Sequence, residues 1–78
     1  MYYTYSIKSI NLNYIYTGIS DNPERRIVQH NKGYNRTTRP YKPFKIILIE
    51  RFENRSIARQ REKYLKSGIG REYLKKIK

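Results

Sequence analysis

The chain is 78 residues long, with 18 Lys plus Arg against 6 Asp plus Glu, one His, no Cys and a formal charge of +12. That length holds one small domain, residues 1–78, with a modest core. The missing Cys excludes a disulfide framework and a thiolate metal centre, and no apolar run reaches the roughly 18 residues that a membrane span needs. Met1-Tyr2-Tyr3-Thr4-Tyr5 has neither the basic nor the apolar region of a signal peptide. The expectation is a cytoplasmic, strongly cationic minidomain whose partner is a polyanion, most simply nucleic acid.

Residues 2–10 read as a strand with Tyr3, Tyr5 and Ile7 on one face. After a tight turn at Asn11-Leu12-Asn13, residues 14–19 resume with Tyr14 and Tyr16 on one face and Ile15 and Thr17 on the other, completing an antiparallel hairpin. Gly18 permits a bend or a close backbone approach. Ser20, Asp21 or Asn22 caps a first helix, Pro23 suits its first turn, and Lys32-Gly33 stops it. Residues 34–43, with two Pro, two Thr and three bases, form a basic loop.

The apolar run Phe44–Phe52, with Ile46-Ile47-Leu48-Ile49 at its middle, predicts the central strand of a small sheet, buried on both faces. Asn54 caps a second helix with a stripe of Ile57, Ala58, Tyr64 and Leu65. Ser67-Gly68 ends that helix, and Gly70 opens a short third helix that packs through Tyr73, Leu74 and Ile77. The order is ββαβαα, an α+β fold with a three-stranded antiparallel sheet flanked by helices.

Residues 1–20 carry a net +1, 21–43 a net +4, 44–53 zero and 54–78 a net +7. The bases are interleaved with Ile, Leu and Tyr, which marks a folded basic surface rather than a disordered tail. A lone His rules out His-rich metal ligation, and six scattered carboxylates do not make a multi-acid, two-metal site. Tyr5 and Tyr16 sit on facing strands, where aromatic pairs stabilise a sheet. Arg26 and His30, four residues apart, share a helix face that is either solvated or able to meet a phosphate and move a proton. Glu62 lies beside the apolar stripe, as an ion-pair partner with Arg61 or Lys63 at hand, or as a metal ligand.

Taken together these pieces resemble the GIY-YIG nuclease family, in its compact single-domain, excinuclease-subunit-C-like form. Tyr3-Thr4-Tyr5 is similar to the first family motif and Tyr16-Thr17-Gly18 to the second, about ten residues apart. Pro23-Glu24-Arg25-Arg26 followed by His30-Asn31 resembles the helix signature, and Arg61-Glu62-Lys63-Tyr64-Leu65-Lys66 the acidic one. The first motif lacks its Gly and Ile, and Thr17 replaces the Ile of the second. The resemblance implies Tyr5 and Tyr16 in the active site, Arg26 against the scissile phosphate, His30 as an accessory group, and Glu62 as ligand for one Mg²⁺ or Mn²⁺. It implies hydrolysis of a phosphodiester by water activated near Tyr5. A phenol has a pKa near 10, so Arg25, Arg26 and the metal are expected to hold Tyr5 ionised.

The expected function is therefore a metal-dependent endonuclease module, with DNA favoured over RNA as substrate. Arg25, Arg36, Arg39, Lys42, Arg61, Lys63, Lys66 and Arg71 are the expected backbone-gripping residues. The chain is expected to act as a monomer that takes its specificity from nucleic-acid structure or from a partner protein. The alternative is a catalytically inactive nucleic-acid-binding module with the same fold. A membrane-surface role is disfavoured by the small apolar area of the last helix.

Overall fold

The computed structural model describes residues 1–77. The chain runs through β1 (Tyr2–Ser9), β2 (Ile15–Ser20), α1 (Pro23–Lys32), a 3-10 turn (Arg39–Tyr41), β3 (Phe44–Phe52), α2 (Arg55–Lys66) and α3 (Gly68–Ile77). The strands form one antiparallel sheet in the order β2-β1-β3, the α+β arrangement expected from the sequence. Among the described residues no helix is long and apolar enough to cross a membrane.

Alternation along β1 gives the sheet two unlike faces. Tyr5 and Ile7 turn toward α1, where they cluster with Ile27 and Phe44. Thr4 and Ser6 turn the other way. The Thr4 hydroxyl donates to the Ala58 carbonyl at 2.8 Å, and the Ser6 and Thr17 hydroxyls are hydrogen-bonded at 2.8 Å. These short side chains let α2 come close enough to bury Ala58 completely, and Leu65 and Leu74 close that side. The helix ends follow their local chemistry: Asn22 Oδ1 accepts from the Arg25 amide at 3.1 Å and Asn54 Oδ1 from the Ile57 amide at 3.0 Å. Gly33 ends α1 in the left-handed region, at φ 82°.

The expectation that Phe44–Phe52 is the central strand is wrong. The central strand is β1, and β3 lies at an edge. Opposite Ser6 stands Leu48 and opposite Ile7 stands Ile46, so Ile47 is an extra, bulged residue. The bulge puts Ile46 and Ile49 in register with Ile7 and Tyr5, on the face of α1. Ile46 stays 47% exposed and Ile49 40%. Only Phe44 of this strand is buried, so the run does not fill the core. Asn31 ties the strand's start to α1, its Oδ1 accepting from the Phe44 amide at 2.6 Å and its Nδ2 donating to the Phe44 carbonyl at 3.4 Å.

The third helix also begins earlier than expected, at Gly68 rather than Gly70. The turn after α2 is so tight that Gly70 lies against the preceding helix. A Cβ at position 70 would lie 2.5 Å from Leu65 Cα and closer still to the Tyr64 carbonyl, whereas one at 68 would meet nothing within 4 Å. Gly70→Ala is therefore expected to cost at least about 3 kcal/mol, enough to unfold much of so small a domain. Gly68→Ala should be neutral or stabilising by up to about 1 kcal/mol. Thermal unfolding followed by circular dichroism checks the pair, and equal melting temperatures would contradict the close approach.

Candidate active site

The site forms where the aromatic face of β1 and β2 meets α1. Tyr5 is opposite Gly18 and Tyr16 opposite Ile7. The two tyrosines are thus diagonal rather than direct cross-strand partners, with ring centroids 6.2 Å apart. His30 packs beside both, 4.9 Å from the Tyr16 ring. Tyr5 and His30 are each only 1% exposed.

Tyr5 Oη and His30 Nε2 are hydrogen-bonded at 3.1 Å, and His30 Nδ1 pairs with Thr38 Oγ1 at 2.8 Å. A buried hydroxyl proton needs an acceptor, and Nε2 is the one within reach. That assignment leaves Nδ1–H to donate to Thr38. Burial, and then the Arg26 guanidinium, push the His30 pKa down, so the ring is neutral and able to accept. Thr38, itself fully buried, is held by its loop: Asn35 Oδ1 accepts from the Thr37 amide at 2.9 Å and the Thr38 amide at 3.2 Å.

Tyr5 does not match the expectation of a phenol held ionised. Burial, followed by the neighbouring Tyr16, pushes its pKa up to about 12; Arg26 lowers it by less than burial raises it, and Glu62 raises it further. Arg25, the other expected helper, points into solvent and pairs with Asp21 at 3.7 Å. The folded site holds a neutral phenol. Gly18 makes room for the buried hydroxyl, since a Cβ there would lie 3.0 Å from Tyr5 Oη. The phenol oxygen takes the space that a side chain there would fill.

Arg26 is half-buried and bonds Gln29 Oε1 at 3.1 Å. With Gln29, His30, Tyr34 and Asn35 it lines a notch of about 120 Å³. Glu62 comes from α2, across the sheet from α1. Its side chain is 14% exposed, with Lys66 Nζ at 3.1 Å and Arg59 Nε at 3.7 Å. Its ion-pair partners are thus Lys66 and Arg59, not Arg61 or Lys63. Among the described residues no three His, Cys, Asp or Glu are grouped to hold a metal. One hard, half-buried carboxylate suits Mg²⁺, which keeps several waters and takes substrate phosphate oxygens for the rest.

The expected phosphate-gripping residues fall into different roles. Arg36, Lys42 and Lys63 are exposed, Lys66 pairs with Glu62, and Arg39 donates to the Gly33 carbonyl at 3.0 Å. Arg61 is engaged within the fold, donating to Glu50 at 2.7 and 3.2 Å, with its guanidinium 5.2 Å from the Tyr64 ring centroid and 5.7 Å from that of Tyr73. It ties α2 to β3 and α3. Sequence reasoning missed Thr38. The Asn35-Arg36-Thr37-Thr38 run carried a signal, because Asn favours a side-chain turn over the following amides.

The three-stranded antiparallel sheet with its helices is consistent with a GIY-YIG-like fold. Residues 1–75 match the family described as the GIY-YIG catalytic domain, so the chain belongs to the GIY-YIG family. It is 41% identical over 54 residues to a UPF0213 protein of Natronomonas pharaonis, covering 68% of this chain and 64% of that one. To a UPF0213 protein of Clostridium perfringens it is 43% identical over 53 residues, covering 67% and 57%. The chain thus matches less than two thirds of either relative's length. No solved structure matches it.

The Tyr5 proton has a consequence for stability. An unfolded chain releases it near pH 10 and the folded one near 12. The folded state therefore holds the proton more tightly, and this stabilisation is complete below pH 10 and lost as the pH rises through 12. It amounts to about 3 kcal/mol. Phenolate absorbance should show one tyrosine ionising only together with alkaline unfolding, a step that Tyr5→Phe removes. Tyr5 ionising near pH 10 in the folded protein would contradict its enclosure.

Proposed function

We propose that the chain is a metal-dependent endonuclease module that hydrolyses phosphodiester bonds in DNA, working in the cytoplasm as a monomer. Supporting this reading above all is the hydrogen-bonded series Tyr5–His30–Thr38, with Arg26 beside it. With no cluster of acids among the described residues, such a series can take a proton from water.

The residues divide the work as follows. Arg26 binds and orients the scissile phosphate and balances the charge that builds on it. Tyr5 accepts a proton from the attacking water as its own proton passes to neutral His30 Nε2, and Thr38 holds the imidazole in the tautomer that can receive it. Water oxygen bonds to phosphorus while the bond from phosphorus to the leaving oxygen breaks. Tyr16 closes one side of the site against His30. GIY-YIG nucleases generally use a divalent metal, and here Glu62 would hold it, where it would supply Lewis-acid stabilisation of charge on the leaving oxygen. The exposed bases Arg25, Arg36, Arg39, Lys42, Lys63 and Arg71, with Lys66, grip the nucleic-acid backbone. Specificity comes from DNA structure or from a partner protein.

Supercoiled plasmid and branched DNA incubated with Mg²⁺ or Mn²⁺ test the proposal. Wild type should cut, and Glu62→Ala should abolish cutting while leaving DNA bound. Tyr5→Phe should slow cleavage about 100-fold or more with binding kept, and Arg26→Ala should lower both binding and rate. Cleavage by Glu62→Ala would remove the metal role, and binding without any cleavage by wild type would establish the non-catalytic alternative. DNA affinity should also fall steeply as salt rises from 50 to roughly 200 mM, as counterion release requires. A flat salt response would contradict backbone gripping.

A further inference from the structure

Thr38 can set the His30 tautomer only if its own place is fixed. The loop that carries it is tied first to itself and to the end of α1. The Tyr34 amide donates to the Gln29 carbonyl at 3.0 Å and the Arg39 amide to the Asn35 carbonyl at 2.9 Å, and the Arg39 guanidinium reaches the Gly33 carbonyl at 3.0 Å. None of these contacts reaches the sheet. Tyr41 does. Its amide donates to the Thr38 carbonyl at 2.9 Å, which closes the 3-10 turn. Its ring lies on that of Tyr14, with centroids 3.8 Å apart and planes 6° from parallel. The Tyr14 carbonyl accepts from the Ser9 amide at 2.9 Å, so the residue beneath Tyr41 is fixed to the end of β1. A further tie, from the Ile10 amide to the Pro43 carbonyl at 2.9 Å, lies beyond the turn.

Aromatic pairs usually meet offset or edge-on with centroids about 4.5–7 Å apart. The Tyr14–Tyr41 pair is closer and nearly parallel, and contact of that kind is lost over a fraction of an ångström. The bond between His30 Nδ1 and Thr38 Oγ1, at 2.8 Å, is just as demanding of geometry. A neutral imidazole carries one proton, and the bond made by one nitrogen decides which of the two holds it. We infer that the Tyr14–Tyr41 stack is a positioning pair for the proposed catalytic site. It fixes the 3-10 turn on the sheet, holds Thr38 Oγ1 against His30 Nδ1, and so keeps Nε2 free to receive the Tyr5 proton. The inference rests on the nuclease reading above and adds two residues that act only through Thr38 and His30.

Tyr41→Leu and Tyr14→Leu keep apolar cover but remove the planar stack, whereas Tyr41→Phe keeps both. Tyr73→Ala is the control, because it removes a partly buried ring from α3, across the sheet from His30. Long-range ¹⁵N–¹H correlation spectra tell a protonated ring nitrogen from a bare one, and the chain has one His. Wild type and Tyr41→Phe should show the proton on Nδ1 alone. In the two Leu variants it should be shared between both nitrogens, while Tyr73→Ala keeps the wild-type pattern. With plasmid DNA and Mg²⁺, Tyr41→Leu should lower kcat about 10-fold with KM unchanged, and Tyr41→Phe should match wild type.

A wild-type imidazole pattern in both Leu variants would overturn the positioning role. The same change in Tyr73→Ala would overturn it too, since it would mark a general loosening of the fold, and so would an altered tautomer with undiminished kcat. In each case cleavage by wild type would leave the nuclease reading standing. If wild type did not cut DNA, that reading would fall, and this inference with it.

Discussion

A phenol oxygen buried in the middle strand of a three-stranded sheet constrains nearly everything around it. Tyr5 has 1% of its surface exposed, and leaving its hydroxyl unpaired would cost about 1–3 kcal/mol, a serious loss for a domain of this size. His30 supplies the partner, which fixes the rotation and depth of α1 on the sheet. Thr38 then fixes His30, which brings residues 34–43 back against the helix. Gly18 must stay bare because the same oxygen fills the space a side chain would take. Arg26, one turn before His30, is carried to the phenol by the helix pitch. A fold requirement and the proposed catalytic arrangement are here the same set of hydrogen bonds.

The opposite face of β1 solves a different problem. A chain of 78 residues with a net +12 cannot rely on a large apolar core. Thr4, Ser6 and Thr17 are buried there instead, and their hydroxyls are matched to one another and to the Ala58 carbonyl. Short side chains allow close approach of α2, and hydrogen bonding offsets the desolvation of their oxygens. Gly70 does the same for α3. The tightest contacts in the molecule are therefore made by its smallest residues, while its large apolar residues Ile46, Ile49 and Ile69 remain substantially exposed.

What could be read from the sequence was whatever local rules determine. Asn22, Pro23 and Gly33 delimit one helix and Asn54 starts another by capping chemistry that acts within a few residues. The period of two placed Tyr5 with Ile7 and Tyr14 with Tyr16. The errors came from interactions between residues distant in sequence. The Phe44–Phe52 run is apolar throughout, but a single bulged Ile47 and a ten-residue α1 decide which of its side chains are covered. Arg61 has the Glu62 carboxylate beside it in sequence, yet its partner is Glu50 on β3. Tyr5 was expected to be ionised because its cationic neighbours were visible and its burial was not, and desolvation is the larger effect.

The same weighing of burial against charge bears on the surplus of positive charge. Four of the acids, Asp21, Glu50, Glu62 and Glu72, sit in ion pairs. Of these, the Asp21 and Glu72 pairs are more than half exposed and add little. The remaining bases repel one another at the surface and oppose compaction. A ligand that binds only the folded chain stabilises it in proportion to the logarithm of its concentration over its dissociation constant, and a polyanion does so by relieving this repulsion. Twelve unmatched charges are costly for an isolated minidomain and useful for one that works on a phosphate backbone. The half-buried pairs of Glu50 with Arg61 and Glu62 with Lys66 stand where the helices need fixing.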